Sequence, residues 1–94
     1  MGNKIKILTN KMSLLNLLDS KLAETLRVIL TQVNTDTYKW YSTTTARQEI
    51  SVRCGISIPS VNRYITRLKE KDILTQQSGS SRGEYTLNRK IIEL

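Results

Sequence analysis

From Leu14 the apolar residues fall at 14, 15, 18, 22, 26, 29, 30 and 33, the three-and-four spacing that lines one face of a helix. Asp19 and Ser20 interrupt that stripe. Two readings fit: one continuous helix, or a short leader helix that ends there and a second helix over Lys21 to Val33. The break is preferred, because Asp and Ser are strong N-caps and poor interior residues. Asn34-Thr35-Asp36-Thr37 then stops the helix with four turn-favouring residues. Near the start, Ile5 and Ile7 alternate with Lys4 and Lys6, the period of a short half-buried strand or extended arm. Tyr38, Trp40 and Tyr41 stand within four positions of a chain that has no Phe. They predict a short β segment running into Ser42 and three Thr, with the rings used for packing in preference to base stacking.

The next stretch, Thr44 to Leu74, is the most informative. Thr45 is placed to cap a helix over Ala46 to Arg53, with Glu49 in its early turns and Ile50 and Cys54 four apart on its inner face. Gly55 ends that helix as the residue that takes positive φ without penalty, and Ile56 follows as an apolar plug. Ser57 or Ser60 starts a second helix, where Pro59 is tolerated because it lies in the first turn. Val61, Ile65 and Leu68 form the buried stripe, with Tyr64 beside them. After Asp72, Ile73-Leu74-Thr75 reads as a strand, Ser78 to Gly83 as a flexible tip, and Glu84 to Leu87 as the returning strand, with Tyr85 and Leu87 on one face.

The two helices and their turn resemble the helix-turn-helix. With Gly55 taken as the turn glycine, Ile50, Cys54, Ile56, Val61 and Tyr64 fall on that motif's apolar positions and Ser51 on its small one. The hairpin that follows resembles the wing of winged helix-turn-helix domains. The expected fold is therefore α+β and mainly helical: a winged helix-turn-helix with a three-helix core and a C-terminal β-hairpin wing. All of residues 1–94 form one domain, with the helix-turn-helix over about 45–71 and the wing over about 73–88.

The outward face of the second helix carries Ser57, Ser60, Asn62, Arg63, Thr66 and Arg67, with no acid before Glu70. Such side chains suit major-groove readout: Arg reaches guanine O6 and N7, Asn pairs with adenine, and Ser or Thr serves bases or phosphates. A partner-binding face would instead carry aromatic or aliphatic anchors. Thr44, Thr45, Arg47 and Arg53 on the first helix are the expected phosphate-positioning set. Arg82, between the wing's glycines, is the residue expected to reach a narrow minor groove.

Charge supports a polyanionic partner without locating it. The 94 residues carry 15 Lys and Arg against 8 Asp and Glu, a net +7. The segment Ser42 to Gly83 holds seven basic and three acidic residues, +4, and residues 1–41 hold +3. With no His and one Cys, zinc fingers, His-based triads and disulfide frameworks are excluded. There is no Walker A sequence and no clustered set of acids to hold Mg²⁺. Cys54, on an inner face with no base to activate it, reads as a small core residue, and the chain as a non-enzyme without metal or cofactor. No apolar run approaches the roughly 20 residues that span a bilayer. The opening MGNKIKILTN lacks a signal peptide's apolar region, and Lys6 stands where a myristoylation signal has Ser or Thr. A cytoplasmic protein without membrane association is expected.

The order of parts also resembles RepL-type plasmid replication proteins of Firmicutes and related plasmid or phage winged-helix proteins. The likeness runs from KIKIL through LAETLRVILTQV and RQEISVRCGISIPSVNRYITRLKEKDIL to GEYTLN, whose Gly83, Tyr85 and Asn88 match that family's ending. The chain departs at Arg89, where the family places Pro. The resemblance implies site-specific binding of double-stranded DNA on a mobile element, in replication initiation or control or in transcription regulation, with host replication or transcription proteins as further partners. The alternative is a winged-helix module that binds an acidic protein. A homodimer is also expected, with Leu14 to Leu18 and Ile91, Ile92 and Leu94 covering a two-fold interface.

Overall fold

The computed structural model describes residues 6–7, 20–76, 79 and 83–93. The expected leader helix over Leu14 to Leu18, the tip residue Arg82, and Leu94 lie outside them. The described chain runs β1 (Lys6–Ile7), α1 (Ser20–Gln32), β2 (Lys39–Tyr41), α2 (Thr44–Cys54), α3 (Ile58–Glu70), β3 (Leu74–Thr75), β4 (Glu84–Leu87) and β5 (Ile92–Glu93).

Helix α1 begins at Ser20, one residue before the expected start, and buries Leu22, Leu26, Ile29 and Leu30 against α2 and α3. Thr25 on the same face is fully buried, and its hydroxyl donates to the Lys21 carbonyl at 2.8 Å, so no polar group is stranded there. The turn that follows is built on Asn34, whose side-chain oxygen accepts from the amides of Asp36 (2.8 Å) and Thr37 (3.1 Å). It brings Tyr38 into a left-handed conformation, φ 61°, with its ring buried and the Arg89 guanidinium 4.0 Å above it.

Strand β2 is more than the lead-in to a helix cap. It pairs antiparallel with β4, Trp40 opposite Tyr85, and so makes the hairpin of β3 and β4 into a three-stranded sheet of order β2-β4-β3. The register puts Leu74 opposite Leu87, both fully buried under the helices. Ile73 precedes the strand instead of opening it, and its amide bonds to the Leu68 carbonyl at the end of α3. Three helices beneath a small antiparallel sheet are the winged helix-turn-helix that the sequence predicts.

The tail corrects one expectation. Ile91 and Ile92 belong to the chain's own core, Ile92 at 1% exposure, so neither is available to an interface with a second copy. Asn88 makes the bend that sends them inward: its amide nitrogen donates to the Asp72 carbonyl at 2.8 Å, and its oxygen accepts from the Lys90 amide at 2.9 Å. Beyond it, β5 pairs antiparallel with β1.

Candidate nucleic-acid interface

The first helix of the pair is capped by Thr43, two residues before the expected Thr45. Thr43 has extended backbone (φ −68°, ψ 165°), and its hydroxyl oxygen accepts from the Ala46 amide at 3.0 Å. The reason is tertiary. The Ser42 amide donates to the Gly83 carbonyl at 2.9 Å, which ends strand pairing there and frees the next residue to turn. Thr44 and Thr45 then lie exposed in the first turn of α2.

Gly55 closes α2 in the left-handed region, φ 65° and ψ 41°, and its amide bonds to the Ser51 carbonyl. Ser51 shows why the motif wants a small residue there: its hydroxyl donates to the Ile56 carbonyl across the turn. Ser57 caps α3, accepting from the Ser60 amide at 3.3 Å. The two helices are fixed by Ile50, Cys54, Val61, Ile65 and Leu68, all buried.

With that face turned inward, Asn62, Arg63, Thr66 and Arg67 are exposed on the opposite side of α3, Ser57 at its cap is exposed, and Ser60 is half-buried. Ser57 donates to the Ser60 hydroxyl at 3.0 Å, and Arg63 Nη2 donates to the same oxygen at 3.3 Å. Arg63 and Arg67 each stand 5.8 Å from the centre of the Tyr64 ring. Cation–π contacts of this kind hold exposed guanidinium groups by about 0.5–1 kcal/mol. From Ser57 to Lys69 the helix carries no acid.

An open depression of about 540 Å³ lies between α2, α3 and the base of the wing. Arg47, Asn62 and Thr66 line it, together with Ser42, Gln76 and Tyr85. The last three were not among the residues expected from the sequence. Gln76 owes its place to Lys69, whose Nζ donates to its oxygen at 2.7 Å, and Tyr85 owes its place to Trp40, 5.5 Å away between ring centres. The strand pairing of β2 with β4 brings Ser42 and Tyr85 beside α3, and no local pattern signals that.

Arg53 is placed elsewhere. Its guanidinium pairs with Glu49 at 3.3 Å on the α1 side of α2, away from the residues that line the depression. Glu49 in turn accepts from Gln32 Nε2 at 2.8 Å, a bond that holds its carboxyl below the ordinary value of 4.5, with Arg53 lowering it further. Gln32 completes the frame: its other contacts are the Ala46 carbonyl at 3.2 Å and the buried indole N–H of Trp40 at 2.8 Å. On the sheet, the Glu84 carboxylate 3.1 Å from Lys39 holds that ammonium above its ordinary value, first by hydrogen bonding and then by charge.

The core, the glycine turn, the second helix with no acid before Glu70 and the wing define a winged helix-turn-helix. Residues 45–75, from α2 through β3, match the family described as winged helix-turn-helix DNA-binding, about a third of the chain. No curated protein and no solved structure matches the chain. Among the described residues no helix is long and apolar enough to cross a membrane.

Proposed function

We propose that this protein reads a specific sequence in double-stranded DNA, with α3 in the major groove. The observation that carries this reading is the exposed outer face of α3, which is Ser, Asn, Thr and Arg without an acid through Lys69. Arg63 and Arg67 are the base-reading or phosphate-gripping pair, and Ser57 and Ser60 sit at the helix start where phosphates are favoured. Arg47, Thr44 and Thr45 position the backbone from α2. Arg82 is proposed for the wing on sequence grounds alone. Binding, not catalysis, is the activity. The acidic-protein alternative calls for apolar anchors on α3, and among the described residues the exposed large apolar side chains, Tyr41 (51%) and Val52 (81%), both lie on other elements.

Following the resemblance to RepL-type plasmid proteins, the role is replication initiation or control, or transcription regulation, on a mobile element in the cytoplasm, with recruitment of host proteins. Binding as a homodimer would place two α3 helices on half-sites about 34 Å apart. Selection of random duplexes by the purified protein, followed by salt titration on the winner and a scrambled control, tests the function. A recovered motif bound well above the control supports it. Weak, equal binding to both, lost at moderate salt, refutes it.

A further inference from the structure

Resting on that DNA-reading function, we infer that Arg47 is a positioning residue that sets which base Asn62 reads. The sequence suggests separate duties, Arg47 on phosphate and Asn62 on adenine, but the structure joins them. Arg47 leaves α2 half-buried, places Nε 3.4 Å from the Thr43 carbonyl, and donates from Nη1 to Asn62 Oδ1 at 3.3 Å. A guanidinium has only donors, so the atom it faces is the amide oxygen and the amine forms the other branch of the side chain. Both residues line the depression beside the wing.

Adenine is read by an amide that gives both halves, the oxygen to N6–H and the amine to N7. The oxygen has a second lone pair, so the contact acts through orientation: with Oδ1 turned toward Arg47 on α2, Asn62 presents its N–H donors to the groove. The matching base edge is one of acceptors: O6 or N7 of guanine, or O4 of thymine. Removing the guanidinium lets the amide turn its oxygen to the groove and restores the adenine pair.

Duplex selection with the wild type, N62A, R47A and R47M tests this. R47M keeps an unbranched stem of similar length, so the packing of α2 is preserved where R47A disturbs it. The base pair read by Asn62 is the one whose preference N62A abolishes. There the wild type enriches guanine or thymine, and R47A and R47M move the preference toward adenine by about fivefold or more. A neutral residue at 47 that weakens every duplex equally and leaves that preference unchanged overturns the inference. So does wild-type enrichment of adenine, or an N62A protein with an unaltered motif. A wild type that selects no motif at all overturns the DNA-reading function itself, and the inference falls with it.

Discussion

Replacing Gln32 by Leu removes one amide and breaks the joint between α1, β2 and α2. The indole N–H of Trp40, on a side chain 1% exposed, donates to Gln32 Oε1 at 2.8 Å. Leu fills much the same volume but accepts nothing, and a buried donor left unpaired costs about 1–3 kcal/mol. The lost bonds to the Ala46 carbonyl and the Glu49 carboxylate lie nearer solvent and add little. The expected loss is therefore about 1–3 kcal/mol, a large part of the roughly 5–15 kcal/mol that holds a small domain folded. For a chain of this length that lowers the melting temperature by about 5–20 °C.

Far-UV circular dichroism in urea measures the loss without relying on fluorescence from Trp40, whose surroundings the substitution changes. Trp40→Phe supplies the cycle, because it removes the donor along with the need for an acceptor. If the indole bond carries the effect, Gln32→Leu costs less in the Phe background, and the coupling is about 1–2 kcal/mol. A Gln32→Leu protein within about 0.5 kcal/mol of wild type, or a coupling near zero, would refute the reasoning.

Three further outcomes are expected. Glu49 is held below its ordinary value of 4.5, chiefly by Gln32, so its contribution to stability is present above the unfolded carboxyl value and is lost as pH falls through the folded one. The melting-temperature gap between wild type and Glu49→Gln should thus be widest near neutrality and narrow on acidification; a constant gap would contradict it. Gly83 has φ 82°, and a Cβ there would lie 3.1 Å from Ser42 Oγ. Gly83→Ala should cost about 1–2 kcal/mol in urea unfolding, and less when combined with Ser42→Ala, which removes the crowding oxygen but not the backbone strain. Arg63→Ala should relax base preference at one position and cost about 1–3 kcal/mol in binding to the selected duplex, whereas Thr44→Ala, at a proposed phosphate contact, should leave the preference intact; identical selected motifs for both would remove α3 from the readout.

Local chemistry made the helix-turn-helix legible before any coordinates. Gly55, Pro59 and the apolar spacing of α3 each admit few alternatives, and the structure departs from the expected bounds by one or two residues. Non-local pairing made the rest illegible. Thr43, Thr44 and Thr45 are equally good caps by type, and the choice among them is made by a hydrogen bond from Ser42 to Gly83, 41 residues away. The third strand of the sheet is three residues long and holds no alternating pattern that names its partner. Ile91 and Ile92 read as spare apolar surface because only the bend at Asn88 turns them inward.

Charge illustrates the same division between composition and geometry. The +7 is spread along the chain, so no count of Lys and Arg distinguishes α3 from α1. Pairing distinguishes them. Lys39 is matched by Glu84, Arg53 by Glu49 and Lys21 by Glu24 at 3.5 Å, and the Lys21 ammonium also caps α2 through the Cys54 carbonyl at 2.8 Å. Arg47 and Arg63 meet an amide oxygen, a hydroxyl or an aromatic face instead. These neutral partners orient a guanidinium without cancelling its charge. An anion approaching Arg47 and Arg63 therefore meets guanidinium groups oriented by neutral partners, and a phosphate there would not have to displace a carboxylate from either.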